Sequence, residues 1–163
     1  MWHMIDEIDL VGMVTDHMNL ERLCDRLETV ADALTWLPPS GIALQLSAEL
    51  ENRLPDYEDR ASALLDRLFG GRLCAPSQTA ALGRIRRRTG SHVVQAQDLA
   101  AALQPDAALL QPNMLGYMLR CFFEACRADM AFEELVILQF AGARLTPNAR
   151  TLIKQSLEAR CRK

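Results

Sequence analysis

The chain has 163 residues and a formal net charge of −3, so it can bury a core without disulfides, and no global basic field draws it to nucleic acid or anionic lipid. Half of its residues are apolar but only 6% are aromatic; Ala, Leu, Arg, Glu and Asp outweigh the β-branched types, a mix that favours helices over sheets. The five cysteines (Cys24, Cys74, Cys121, Cys126, Cys161) form no C-x-x-C pair and read as reduced thiols of a cytoplasmic protein, not a disulfide framework.

The opening Met1-Trp2-His3-Met4-Ile5-Asp6-Glu7 is acidic and does not read as a signal peptide. No apolar run approaches the roughly 20 residues of a membrane span. A first helix is predicted from about residue 10 to residue 37, stopped by Pro38-Pro39. Its seam steps by threes and fours through Leu10, Met13, His17, Leu20, Cys24, Leu27, Ala31 and Leu34. Ser40 is the expected cap of a second helix that reaches Phe69 before Gly70-Gly71, with Pro55 inside it as a kink or a split. Ser77 is the expected cap of a third, which ends at Leu103 before Pro105; Thr89-Gly90-Ser91 is a point of weakness in its middle. The longest stretch runs from Asn113 to about Ala143, and a short terminal helix follows Thr146-Pro147. Stretches of this length with moderate connections predict an all-α, antiparallel four-helix bundle with a short C-terminal helix, one domain over residues 1–163.

The informative residues are the polar ones that fall on apolar seams. In the fourth stretch the seam is Leu115, Leu119, Phe122, Cys126, Asp129, Glu133, Val136 and Phe140, so two carboxyl groups one turn apart are predicted to face inward. A buried carboxylate costs several kcal/mol unless it is paired, protonated or bound to metal. His17 interrupts the first seam, the second (Leu50, Leu54, Tyr57, Ala61, Leu64, Leu68) brings in Tyr57, and the third (Leu82, Ile85, Thr89, His92, Ala96, Leu99, Leu103) brings in Thr89 and His92. His17, Tyr57, His92, Asp129 and Glu133 therefore form a candidate buried polar or metal site, with His17, Asp129 and Glu133 the best metal ligands and iron or zinc the metals that such donors suit. Plainer readings stand beside this one. Each His is a hydrogen-bonded core residue, Tyr57 is a core aromatic, and the carboxylates are held by Arg53 or Arg60 or share a proton.

At these positions the chain resembles the hemerythrin-like (HHE cation-binding) family. The resemblance is carried by Thr15-Asp16-His17 with Glu21, Leu23 and Cys24; by residues 53–61, Arg-Leu-Pro-Asp-Tyr-Glu-Asp-Arg-Ala; by Ala81-Leu82-Gly83-Arg84-Ile85 onward to Leu103; and by Phe122 to Pro147, which includes Met130-Ala131-Phe132-Glu133-Glu134 and Arg144-Leu145-Thr146-Pro147. It implies a four-helix bundle built around a non-haem di-iron centre of histidines and carboxylates. Carried over residue by residue, His17 stands at the first-helix ligand and Glu133 at a bridging carboxylate. Tyr57 and Ala61 replace the second-helix His and Glu. Thr89 takes the third-helix His position, with His92 one turn later, and Asp129 replaces the fourth-helix His. The implied di-iron site is largely dismantled.

The remaining features are bland. Arg84, Arg86, Arg87 and Arg88 read as a solvated face, or as a docking surface for an acidic partner, and lack the interleaved aromatics of a nucleic-acid interface. Met4, Met13, Met18, Met114, Met118 and Met130 read as mostly core, with a pocket for a small apolar ligand beside Met118, Cys126 and Met130 as the alternative use of the bundle centre. No nucleophile elbow, phosphate loop or H-E-x-x-H motif is present. The expectation is a non-enzymatic binding, regulatory or signalling module without a cofactor, its partner a protein or a small ligand. A remodelled iron or zinc sensor or storage protein is the alternative.

Overall fold

The computed structural model describes residues 4–34, 38–70, 75–104 and 111–162. Among these residues five α-helices pack against one another: α1 (Glu7–Asp32), α2 (Ser40–Phe69), α3 (Pro76–Ala102), α4 (Pro112–Ala141) and α5 (Pro147–Cys161), with a 3-10 turn, Gly142–Arg144, between the last two. Among the described residues the only extended pairing is an isolated bridge between Ile5 and Leu145. No described helix is long and apolar enough to cross a membrane.

Helix starts follow local chemistry more closely than the apolar seams alone. Asp6 caps α1 in a reciprocal box with Asp9, so the helix begins three residues before Leu10. It also stops at Asp32, short of the expected residue 37; residues 35–37 lie outside the described set, as do Gly71, Cys74 and Pro105. Ser40 and Ser77 sit inside their helices and are not the caps: Pro39 precedes α2, and Ala75 precedes α3, whose first turn opens on Pro76. Thr146 does cap α5, its hydroxyl accepting from the Ala149 N–H ahead of Pro147.

Two expected weak points are continuous helix. α2 passes through Pro55 without splitting, because the carbonyl that the proline leaves unbonded belongs to Glu51, which is exposed and can be solvated. α3 passes through Gly90, which is exposed and touches nothing a side chain would meet.

The apolar core is divided. One cluster gathers Leu20 to Ala31 of α1, Ala43 to Leu54 of α2, Ala96 to Leu103 at the end of α3 and Leu115 to Met130 of α4. The other gathers Leu10 to Val14, Leu64 to Phe69, Leu82 and Ile85, Val136 to Ala141, and Ile5, Ala149 and Ile153. Each of the first four helices crosses from one cluster to the other, and the direction of crossing alternates from helix to helix. Between the clusters, at the crossing level, lie the buried polar residues His17, Glu58, His92, Asp129, Glu133 and Glu134.

Polar ties fix the elements around this level. Arg127 of α4 reaches Glu21, Asp25 and Glu28 of α1 at 2.7–2.9 Å, and Arg120 reaches Asp32 at 2.8 Å, so partner numbers fall along α1 as they rise along α4. Buried Ser47 donates to the Ala100 carbonyl and accepts from Gln104, tying α2 to the end of α3. Ile5 bonds Arg144 and Thr146 through its backbone, which pins the entrance of α5 beside the start of α1. Buried Arg144 donates to the Leu68 carbonyl at the end of α2.

Candidate functional site

His17, on the inner seam of α1, is 5% exposed, and both of its ring nitrogens meet carboxylates of α4. Nδ1 donates to Glu134 at 2.7 Å and Nε2 to Glu133 at 3.1 Å. Carboxylates only accept, so both nitrogens carry protons and the ring is an imidazolium. Burial pulls the His17 pKa down, but the hydrogen bonds to Glu133 and Glu134 and their charges outweigh it and hold His17 above its ordinary 6.5.

Glu134 is fully buried. Its Oε1 also accepts from Ser156 at 2.8 Å and from the guanidinium of Arg160, both on α5. Burial alone would raise the Glu134 carboxyl; the bonds to His17 and Arg160 reverse this and hold it below the usual carboxylate range. Arg160 Nη2 stands 3.2 Å from His17 Nδ1 and its other amino group 3.4 Å from Glu21. This first cluster is an ion network in which an imidazolium and a guanidinium face three carboxylates, Glu21, Glu133 and Glu134, while buried Glu134 Oε2 and Arg160 Nε have no hydrogen-bond partner among the described residues.

The second cluster lies one turn earlier on α4. His92 of α3, 4% exposed, donates from Nδ1 to Glu58 of α2 at 3.2 Å. Its Nε2 lies 2.9 Å from Asp129 Oδ2, within ion-pair distance, yet the two atoms are not aligned as a hydrogen bond and both are buried with no other hydrogen-bond partner among the described residues. The other Asp129 oxygen is 3.4 Å from Arg88 Nε. The ring of Phe122 meets His92 edge to face at 6.2 Å.

A cavity of about 490 Å³ opens beside both clusters. Its lining includes all five residues singled out in the sequence, His17, Tyr57, His92, Asp129 and Glu133, together with Glu58. Buried Met13, Leu20, Leu64 and Met130 supply apolar wall, while the Asp16–Arg60 pair, bonded at 2.7 and 2.9 Å, and Asp9 with Arg67 stand on the α1–α2 side. Cys126 also borders it. A hydrogen bond with Cys24, together with burial, pushes the Cys126 thiol well above its ordinary range, so it behaves as a core residue and not as a nucleophile. Among the described residues no group of three or more His, Cys, Asp and Glu side chains is drawn together tightly enough to hold a metal ion.

Several sequence readings need correction. Tyr57 is half-buried at the cavity edge, and Glu58 takes the inward place on α2; a step of four from Leu54 reaches Glu58, where a step of three had pointed to Tyr57. Thr89 is only half-buried, whereas His92 is buried within a continuous helix. Neither Arg53 nor Arg60 answers Asp129 and Glu133: Arg53 is exposed and Arg60 is committed to Asp16. The arginine cluster is not simply a solvated face either, since Arg88 reaches Asp129 and Arg84 stacks over Phe132 at 4.5 Å. Met4, Met18 and Met114 are exposed, not core. The cavity touches Cys126 and Met130 but does not extend to Met118.

Glu134, Ser156 and Arg160 were missed, although a signal for them exists. Met130, Glu134, Ile137 and Ala141 form a second seam on α4, and Ala149, Ile153, Ser156 and Arg160 form one on α5, each stepping by threes and fours. Reading one seam per helix overlooks a helix that is covered on two sides. No protein family, curated protein or solved structure matches the chain.

Proposed function

We propose that the protein is a hemerythrin-like, antiparallel four-helix bundle with an added C-terminal helix, forming one domain, that has exchanged a di-iron centre for an internal ion network and acts as a non-enzymatic binding or regulatory module. The antiparallel arrangement is supported by the alternating passage of α1 to α4 between the two core clusters. The binding role is supported by the cavity at the polar level, and partner contact by the exposed apolar residues Ile8, Val11 and Met18 along α1.

One observation carries the metal-free reading: both nitrogens of His17 are engaged by Glu133 and Glu134, with the Arg160 guanidinium 3.2 Å from Nδ1. A metal needs a bare imidazole nitrogen and tolerates a fixed positive charge poorly at that distance, and arginine does not deprotonate in proteins. The family's iron therefore does not fit the residues around His17. Elemental analysis by mass spectrometry of dialysed protein purified from cells should find iron and zinc far below one atom per chain; a stoichiometric metal would end this reading.

A second reading, a remodelled iron or zinc site, is favoured by the His92–Asp129 contact. Two unpartnered donor atoms 2.9 Å apart match the separation of adjacent ligands on one ion, given bonds of about 2.1 Å. It predicts that added zinc or ferrous iron raises the melting temperature and that Asp129→Asn abolishes the rise. The metal-free reading predicts no rise in either protein.

A further inference from the structure

We infer that α1 pairs with α1 of a second copy of this chain, antiparallel and about a two-fold axis, through a stripe on its solvent side. The inference rests on the partner-contact reading above and names the partner. Ile8, Val11, Thr15, Met18 and Arg22 follow one another at steps of three and four, so they share one line along the helix. All five are exposed, Ile8 at 80% and Met18 at 52%. The opposite side of the same helix, Leu10, Met13, His17 and Leu20, is the one the core buries. A helix with apolar residues on both sides buries only one of them within the chain.

Charge selects the occupant and its direction. Glu7 stands at one end of the stripe and Arg22 at the other, about 22 Å apart along the axis. Both are exposed, and among the described residues Glu7 has no ion pair and Arg22 meets only the side chain of Asn19. The carboxylates at the sides of the stripe are already answered, Asp16 by Arg60 and Glu21 by Arg127. An antiparallel copy that sets its Met18 against Ile8 and its Thr15 against Val11 carries each Arg22 to the first turn of the other α1, beside Glu7. Two ion pairs then close the ends. A parallel copy would set Glu7 on Glu7 and Arg22 on Arg22, and like charges repel. Acid at one end and base at the other is the self-complementary pattern that a two-fold contact needs. A lipid surface would call for a basic polar face, whereas this chain carries a net charge of −3 and Glu7 flanks the stripe. Exposed Gly12, beside the axis, has open space where a Cβ would stand. The single chain gains nothing from a glycine inside that helix; in the pair it lets the two backbones approach.

The test is sedimentation velocity of the full chain at loading concentrations from about 1 μM to about 1 mM, the span from moderate to weak affinity. The native chain should pass from monomer to dimer and go no further, because a two-fold contact closes on itself. Ile8→Glu should stay monomeric throughout. Arg22→Glu should weaken dimerisation by about ten-fold or more, and adding Glu7→Arg to it should restore the native value. All three positions are exposed, and circular dichroism checks that each variant keeps its helices. A native chain that stays monomeric, or a dimer that survives Ile8→Glu, overturns the α1 pairing. Weakening by Arg22→Glu without recovery in the double variant overturns its antiparallel alignment. If the native chain is monomeric, fluorescence of the apolar dye anilinonaphthalene sulfonate judges the wider reading. Dye binding that Ile8→Glu abolishes leaves the stripe as a contact face for a different protein, and fluorescence that Ile8→Glu leaves unchanged ends the partner-contact reading as well.

Discussion

At the scale of single residues, protonation of the His17 network is tied to folding. His17 is raised above 6.5, so the stabilisation it adds is full below pH 6.5 and is lost as pH rises through its higher folded value. Glu134 is lowered from 4.5, so its contribution is full above that pH and is lost as pH falls through its lower folded value. Both contributions coexist between about pH 4.5 and 6.5, and urea denaturation at a series of pH values should find the stability maximum there. His17→Gln should remove the decline on the alkaline side; a decline that persists would show that another group drives it. Glu133, Glu134 and Arg160 contact the ring, and Ser156 and Glu21 contact those partners, so the profile reports this network. The same scale decides that Glu58, and not Tyr57, is the buried residue of that turn of α2. A single step of three or four along α2 decides whether a phenol or a carboxyl faces the core, and apolar spacing does not distinguish them.

At the scale of elements, capping and continuity are set by a few local interactions. The Asp6–Asp9 box starts α1 and the Thr146 hydroxyl starts α5, and both are readable as residue patterns. Continuity through Gly90 is not readable in the same way. Glycine weakens an isolated helix, but α3 is held on both flanks of Gly90 by buried Ile85 and His92. The backbone there is helical and a Cβ would meet nothing within 4 Å. Gly90→Ala should accordingly stabilise the protein by up to about 1 kcal/mol, seen as a higher urea midpoint with an unchanged slope. A loss of stability would mean that the helix needs the glycine for a reason the packing does not contain. Pro55 shows the complementary case: the bond it removes is on the water side, so the helix continues.

At the scale of the whole molecule, the polar level separates two apolar clusters that share helices but few side chains. Core substitutions on opposite sides should therefore act independently. Ile137→Val on one side should cost about 0.5–1.5 kcal/mol, and Leu50→Met on the other less than about 1.5 kcal/mol. The double variant should equal their sum within about 0.5 kcal/mol, measured by chemical denaturation. A larger discrepancy would mean that strain passes through the His17 and His92 clusters and that the polar level is a mechanical link, not a partition.

The amino-acid pattern by itself determined the helical class and four of the six inward polar residues at the polar level, among them the paired carboxyl groups of Asp129 and Glu133 on α4. These follow from periodicity along one helix, and a helix carries its own period wherever it is packed. Only the tertiary structure decided who answers whom: that Arg160 of α5 joins the network on His17, that Glu58 and not Tyr57 meets His92, and that His92 stands 2.9 Å from Asp129. Those outcomes depend on the rotation and height of neighbouring helices. Both are set by side-chain packing between segments far apart in the chain, and no single seam contains that information.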